Sequence, residues 1–224
     1  MKKKFYLSII IVIFIVSGAT ACSLRNGAKK EPVKSSTVST AKNTQKQGEA
    51  NPISTQNSVS VEKPVAAENN PAGDIPDSQV FVKYTSTAGG YELQVPEGWA
   101  STENGTDVSF TNKYDGVKVN LVNVTGPITL DSIKKNQVTD LEKTGRAVTV
   151  KSVKEAKLSG MQVFVVSYES NSDPNPVTNK QIRLENQNFY FYKDGKMAVV
   201  TVWAPLGADN VDQWNFMSNN FKWR

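Results

Sequence analysis

The chain of 224 residues carries a formal net charge of +5, one cysteine and no histidine. Residues 1–22 contribute +3 of that charge, whereas residues 79–224 hold sixteen basic and fifteen acidic side chains, so the high pI does not indicate a nucleic-acid-binding face. The absence of histidine removes the usual general base near neutral pH and the commonest metal ligand, and a single cysteine excludes an intramolecular disulfide and a Cys-rich zinc site.

Residues 1–21 have the layout of a cleaved export signal. Lysines at positions 2–4 precede an apolar stretch over residues 5–16, and small residues then lead to Cys22. Twelve helical residues rise about 18 Å, too short for a bilayer core of about 30 Å. Ala19-Thr20-Ala21-Cys22 resembles the lipobox of bacterial lipoproteins, which implies cleavage before Cys22, a diacylglycerol on its thiol and a further acyl chain such as palmitate on its amine. The alternative is an ordinary secretory signal with an incidental cysteine.

Residues 22–78 are predicted to be the lipidated cysteine followed by a disordered tether. The segment is rich in Ser, Thr, Asn, Gln, Lys, Ala and Pro, and such a composition buries too little apolar surface to offset its ordering entropy. As a flexible coil it would hold its ends on the order of 40 Å apart. The tether would let a lipid-held domain work at a distance from the membrane, or act only as a spacer.

Residues 79–224 are predicted to form one folded domain built mainly from strands. Four dipeptides separate strand-like runs as hairpin turns, namely Gly89-Gly90, Asp115-Gly116, Ser159-Gly160 and Asp194-Gly195. The strand-like runs are residues 80–85, 91–95, 108–113, 117–124, 147–153, 161–169, 181–192 and 197–203. Short turns between successive strands predict an antiparallel sheet.

Two helices are predicted. The first spans residues 130–144, with Thr129 or Asp131 as its cap and Gly145 at its end, and the second spans residues 209–219. The apolar stripe of the first helix is formed by Leu130, Ile133, Val138 and Leu141, and that of the second by Val211, Trp214 and Met217. The predicted fold class is α+β, an α/β/α sandwich in which the two helices flank a central, mostly antiparallel sheet.

The folded region resembles PsbP-like domains. The residues that carry the resemblance are the strand and turn from Gly90 to Trp99 with its Pro-x-Gly-Trp ending, Val108-Ser109-Phe110, Leu158-Ser159-Gly160, Ala204-Pro205 and Asn220-Phe221. The resemblance covers residues 80–224 and implies the sandwich fold and a non-catalytic role. It also implies kinship with the lipoprotein members of the family in non-photosynthetic bacteria. Histidine-based metal binding does not carry over, because this chain has no histidine.

Few residues are candidates for a ligand or metal site. Trp99 and Trp223 are aromatic platforms on which a ligand could stack, although Trp99 is also interpreted as a plug of the core after the Pro96 turn, and by the same logic Trp203 and Trp214 are predicted to lie in the core. The oxygen-rich stretch from Ser170 to Asn175 suggests a hard-cation site with Ser170, Ser172, Asp173 and Asn175 as ligands, although it lacks the EF-hand spacing and a plain polar loop explains it better. Ser132-Ile133-Lys134-Lys135 matches a Ser-x-x-Lys pattern and Lys143-Thr144-Gly145 matches Lys-Thr-Gly, but both lie on one short predicted helix and no Ser-Asp-Asn motif exists, so a solvated helix face is the better interpretation.

The sequence therefore predicts a monomeric lipoprotein on the extracytoplasmic face of the cell membrane, held there by its lipid anchor. Its domain is expected to act as a binding or assembly module for an envelope protein, a cell-wall glycan or a small ligand, with no enzyme activity, no cofactor and no nucleic-acid partner. Two alternatives stay open: a histidine-free cell-wall hydrolase that works through carboxylates, and a calcium-holding module.

Overall fold

The structure is a computed structural model that describes residues 62–224. The predicted signal peptide, Cys22 and residues 23–61 of the tether lie outside the described residues. Within residues 62–224, no helix combines the length and the apolar character needed to cross a bilayer.

The described region contains ten strands in two antiparallel sheets. The strands are β1 (Phe81–Ser86), β2 (Tyr91–Pro96), β3 (Ala100–Asn104), β4 (Asp107–Asn112), β5 (Asp115–Asn123), β6 (Thr149–Leu158), β7 (Met161–Asn171), β8 (Arg183–Lys193), β9 (Lys196–Pro205) and β10 (Lys222–Trp223). One sheet has three strands in the order β1-β2-β10, and the other has seven in the order β3-β4-β5-β9-β8-β7-β6. The α+β prediction, with a mostly antiparallel sheet and two helices, is confirmed.

The first helix follows β5 and contains a π-helical segment. Its parts are α1 (Leu130–Ser132), the π-helical residues Ile133–Val138, and α2 (Thr139–Thr144). The apolar residues Ile133 and Val138 are five positions apart. An α-helix would place these two side chains on different faces, whereas the i→i+5 repeat of a π-helix places them on the same face. Thr129 is the cap, since its Oγ1 accepts from the Ser132 N–H at 3.1 Å while the Ser132 Oγ accepts from the Thr129 N–H at 2.8 Å. Ser132 thus serves the helix start.

The seven-stranded sheet buries both of its faces, against different elements. On one face Val117, Phe191 and Val200 pack in one core cluster with Leu93 of β2 and residues of the last helix, α3 (Val211–Asn219). On the other face the helix of residues 130–144 covers part of the sheet, where Ile133 packs in a second cluster with Phe164, Val166, Tyr168, Tyr190 and Met197. The sequence placed β1 and β2 in the central sheet, but they stack over it, because Tyr91, Leu93 and Val95 alternate toward its core.

The hairpin turns match the sequence at some positions and differ at one. Ser159-Gly160 and Asp194-Gly195 all have positive φ, as the predicted type I′ turns require. Asp115-Gly116 is not a turn: the β4–β5 turn lies two residues earlier, at Lys113-Tyr114, and Gly116 is already in β5, opposite Trp203 of β9. A side chain at position 116 would collide with the Trp203 ring. Glycine is therefore needed there for the close approach of an indole ring.

The second predicted helix is confirmed over residues 211–219, with one correction to its buried face. Trp214 and Met217 are buried as predicted, and Phe216 packs at the margin against Phe81 with ring centroids 4.7 Å apart. Val211 was expected on the buried stripe, but it is 54% exposed. It occupies the first position of the helix, where the chain has only just left the sheet surface.

Residues 62–78, which we call the strap, contact the folded domain although their composition assigns them to the tether. At one end, the Val65 N–H donates to Asn171 Oδ1 at 3.0 Å. At the other end, the Ile75 N–H donates to Asn210 Oδ1 at 2.6 Å and Asn210 Nδ2 donates to the Gly73 carbonyl at 2.8 Å. These bonds use backbone groups, which every sequence has, so composition does not reveal them.

Candidate functional site

The part of the large sheet that the helix of residues 130–144 leaves uncovered forms a groove of about 620 Å³. Its floor consists of Tyr168 and Ser170 of β7, Asn186 of β8 and Thr201 of β9. We call this cavity the sheet-face groove. The same strands carry apolar residues under the helix, so one sheet face changes from apolar to polar along its length.

The polar floor is buried and ordered by its own hydrogen bonds. Ser170, Asn186 and Thr201 are 9%, 6% and 4% exposed. Asn186 Nδ2 donates to Ser170 Oγ at 3.0 Å, and Tyr168 Oη donates to Asn188 Oδ1 at 3.4 Å. Burial raises the pKa of Tyr168, so its hydroxyl stays protonated. Buried polar groups held in this way form a preorganised surface for a ligand that offers hydroxyl or amide groups.

Aromatic surface is supplied by Trp203 and Tyr114. Trp203 is half-buried, lies opposite Gly116 and lines the groove, whereas the sequence indicated a core position for it. Tyr114, in the turn before β5, is 44% exposed on the same cavity. A ring face beside amide and hydroxyl groups suits a ligand with both an apolar face and polar edges.

The walls of the groove carry more positive than negative charge. Its basic side chains are Lys113, Lys118, Arg146 and Lys180, and its acidic ones are Asp115 and Asp173. Arg146 is positioned from two sides, because its Nη2 lies 3.2 Å from Glu62 Oε2 of the strap and its Nε lies 4.0 Å from Asp173 Oδ1. The strap is therefore tied to the wall of the groove.

The four residues predicted to bind a cation, Ser170, Ser172, Asp173 and Asn175, all line the sheet-face groove. Most of their side-chain oxygens already have hydrogen-bond partners in the protein. Ser170 Oγ accepts from Asn186, Ser172 Oγ accepts from a backbone N–H just before β8 at 3.0 Å, and Asn175 Oδ1 accepts from two N–H groups of its own turn at 3.0 Å. The Asp173 side chain is 93% exposed. Within residues 62–224, no three Cys, Asp or Glu side chains gather as a metal site would require. The calcium site stays a prediction, and this geometry adds no support to it.

The side chains of the two acidic residues that line the groove point in different directions. The Asp115 side chain lies on the same face of β5 as Val117 and Val119 of the core. A methyl group added at Gly73 of the strap would lie 2.9 Å from Asp115 Oδ1. Its side chain therefore faces the strap, whereas Asp173 faces solvent. The carboxylate-based hydrolase also stays a prediction, because these two acids are not aimed at a shared point.

The two tryptophans proposed as ligand platforms lie in different surroundings. Trp99 is half-buried and packs against the main core cluster, as its reading as a core plug requires. Trp223 lies in β10, half-buried, and lines two hollows that share no residue with the sheet-face groove. The predicted lipid attachment site, Cys22, lies outside the described residues.

Comparison with known proteins finds similarity in structure but not in sequence. No protein-family model matches the chain, and no curated protein sequence matches it. Among solved structures, the chain is similar to PsbP (CyanoP) of the cyanobacterium Synechocystis, at 14% identity and a TM-score of 0.46, over 68% of this chain and 99% of that one.

Two further solved structures extend the comparison. One is the Saccharomyces cerevisiae Ran-binding protein Mog1p, at 13% identity and a TM-score of 0.45, over 65% of this chain and 96% of that one. The other is LpqN, involved in cell envelope biogenesis of Mycobacterium tuberculosis, at 13% identity and a TM-score of 0.37, over 72% of this chain and 89% of that one. At these identities the likeness concerns the fold alone.

Proposed function

We propose that this protein is a lipid-anchored lipoprotein of the extracytoplasmic membrane face whose domain is a non-catalytic binding module, and that the sheet-face groove holds its ligand. The supporting observation is the groove's floor, where Ser170, Asn186 and Thr201 are almost fully buried yet polar at the end of an otherwise apolar sheet face. These side chains hold one another in place and keep oxygen and nitrogen atoms on the floor that a ligand with hydroxyl or amide groups can use. The domain would be a PsbP-like sandwich with the groove on its helix-covered side.

The chemistry of the groove favours a hydroxyl-rich envelope ligand such as a cell-wall glycan. Asn186 and Thr201 can exchange hydrogen bonds with sugar hydroxyls, and the Trp203 ring offers an apolar face for a sugar ring. Lys118 and Arg146 on the walls favour a ligand with negative charge along its edge.

The lipid anchor rests on the sequence at Cys22 and has its own test. We expect mass spectrometry of the mature N-terminus to find acyl chains on Cys22, and Cys22→Ala to move the protein from the membrane fraction to the soluble one. An unmodified residue 22 on a protein that is free in the medium would contradict the anchor and leave the groove proposal standing.

A second candidate, an envelope protein partner, is favoured by one exposed apolar patch. Phe216 of α3 is 44% exposed and packs against Phe81, and the neighbouring Val80 is 57% exposed. Exposed apolar residues that cluster mark protein contact surfaces more often than scattered ones do.

Crosslinking in the native cell separates these two candidates. A benzophenone amino acid would replace Tyr114 in the groove, Phe216 on the apolar patch, or Val122 at the far end of β5 as a control, three positions that are each 44% exposed. We expect a specific adduct from position 114, absent from position 122. An adduct from position 216 alone would favour the protein partner and overturn the groove, and equal adducts from all three positions would contradict both.

A further inference from the structure

Trp223 separates two hollows outside the sheet-face groove. One has a volume of about 490 Å³ and is lined by Ser159, Met161, Tyr192, Lys193, Lys222 and Trp223. The other has a volume of about 160 Å³, and its lining includes Gly90, Lys193, Lys196, Trp223 and Arg224. Since Trp223 and Lys193 belong to both, the two hollows adjoin at one aromatic ring and one cation. We call them together the Trp223 site.

The ring of Trp223 is fixed in place and incompletely satisfied. The backbone of Trp223 pairs with that of Tyr91 in β2, and its ring meets the Phe221 ring edge to face with the ring centroids 5.4 Å apart. Its Nε1–H is buried without a hydrogen-bond partner within the described part of the chain. An unpartnered buried donor costs free energy, and a ligand oxygen that reaches it after a small movement of the ring would remove that cost.

Positive charge is concentrated around this ring. Four cationic residues line the Trp223 site, Lys193, Lys196, Lys222 and Arg224, with one acidic residue, Asp194, and Lys193 Nζ also donates to the Arg224 backbone oxygen at 3.3 Å. The nearby carboxylate of Glu92 is engaged by Lys83 at 2.8 Å, and that hydrogen bond holds the pKa of Glu92 below its usual range. Residues 79–224 are close to neutral as a whole. The charge around Trp223 is therefore a local excess of cations that favours an anion.

We propose that the Trp223 site binds a phosphorylated sugar, with the sugar ring against the indole and the phosphate between the lysines. A ring face flanked by cations matches a ligand that has both an apolar face and a negative group. A membrane surface fits less well, because Trp223 is half-buried in a concave site instead of protruding as an interfacial anchor does. The proposal is independent of the sheet-face groove, since the two sites share no lining residue.

The test uses the four indole N–H signals of the full lipidated protein in detergent micelles, assigned with Trp223→Phe. The probes are glucose 6-phosphate, glucose, inorganic phosphate and micelles that contain phosphatidylglycerol. We expect glucose 6-phosphate to move the Trp223 signal saturably, inorganic phosphate to do so more weakly, and glucose alone not to do so. Lys222→Gln should weaken the apparent affinity about tenfold, whereas Lys154→Gln, at an exposed position on the edge strand β6, should leave it unchanged.

Each other outcome overturns the proposal. A Trp223 signal that does not move with glucose 6-phosphate, or moves equally in Lys222→Gln, would show that the cations hold no phosphorylated sugar. A response to phosphatidylglycerol alone would assign the site to the membrane. Movement of the Trp203 signal in place of Trp223 would locate sugar phosphate binding in the sheet-face groove.

Discussion

Asp115→Asn tests whether the strap is packed against the domain as described. Asp115 is 5% exposed, and its Oδ1 has no hydrogen-bond partner within residues 62–224. Burial, and to a lesser extent the nearby carboxylate of Asp74 in the strap, raise the pKa of Asp115 from 3.8 to about 7 against the opposing effect of Lys113. The folded protein therefore keeps a proton on Asp115 over a range in which the unfolded chain has lost it.

The sign and size of the effect follow from this difference. Between about pH 4 and pH 7 the folded state binds one proton more than the unfolded state, so the free energy of unfolding falls as pH rises and levels off above pH 7. A gap of about three pH units corresponds to about 4 kcal/mol at 1.36 kcal/mol per unit. Solvent screening at the start of β5 should reduce the pH-dependent loss of stability to about 2 kcal/mol. Asp115→Asn, which does not titrate, should remove that loss.

The assay is urea unfolding of the wild type, Asp115→Asn and the exposed control Asp173→Asn between pH 4 and pH 8. We expect Asp115→Asn to be more stable than the wild type by about 2 kcal/mol at pH 8, and the two to converge near pH 4. Asp173→Asn should follow the wild type throughout. An Asp115→Asn variant that is less stable at pH 8, or a difference that does not change with pH, would refute the buried, unpartnered carboxylate.

Three further predictions concern packing. Gly116→Ala should lower the free energy of unfolding by about 1–3 kcal/mol in thermal unfolding, because the added methyl group meets the Trp203 ring. Gly126→Ala is the control, since its methyl group would face open space and should change the stability little. Equal losses of stability in the two variants would refute the close approach of Gly116 and Trp203. Arg183→Met removes a buried guanidinium that donates to three oxygens within 3.1 Å, those of the Ala147 carbonyl, the Asn171 amide and the Thr149 hydroxyl, and it should cost about 3–5 kcal/mol in urea unfolding; a loss below 1 kcal/mol would contradict its burial. Asn210→Ala should speed hydrogen exchange at the Ile75 amide, and unchanged exchange would mean that the strap is held elsewhere.

Eight of the ten strands in residues 62–224 and both helices were predictable because each carries a local signal, whereas β3 and β10 were not predicted. The alternation of Val117, Val119 and Leu121 predicted β5, and Ser159-Gly160 fixed a hairpin through its positive φ angles. The π-helical stretch was not predicted, although the five-residue step from Ile133 to Val138 was visible as an irregular apolar stripe. Its cause is tertiary, because both residues must reach the same sheet face.

The sheet-face groove was not predictable in the same way, since its floor depends on the register of three neighbouring strands and on how much of the sheet the helix of residues 130–144 leaves uncovered. One local signal was present: Asn186 and Asn188 recur at alternate positions of β8, on the side that carries Tyr190. The other residues on this face of β8 are Leu184, Tyr190 and Tyr192, so the asparagine pair marks the point where the sheet face becomes polar. Trp203 was placed in the core because a tryptophan at the end of a buried strand usually packs there, and only the register with Gly116 shows that it lines a cavity.

The central claim is that the groove holds a ligand, and one measurement tests it most directly. The yield of the in-cell adduct from a benzophenone at position 114 would be compared between the otherwise native protein and Trp203→Ala, with folding checked by the melting transition. We predict at least a tenfold lower yield in Trp203→Ala, since the stacking surface is gone. An undiminished yield from a correctly folded variant would show that whatever lies near Tyr114 does not occupy the groove.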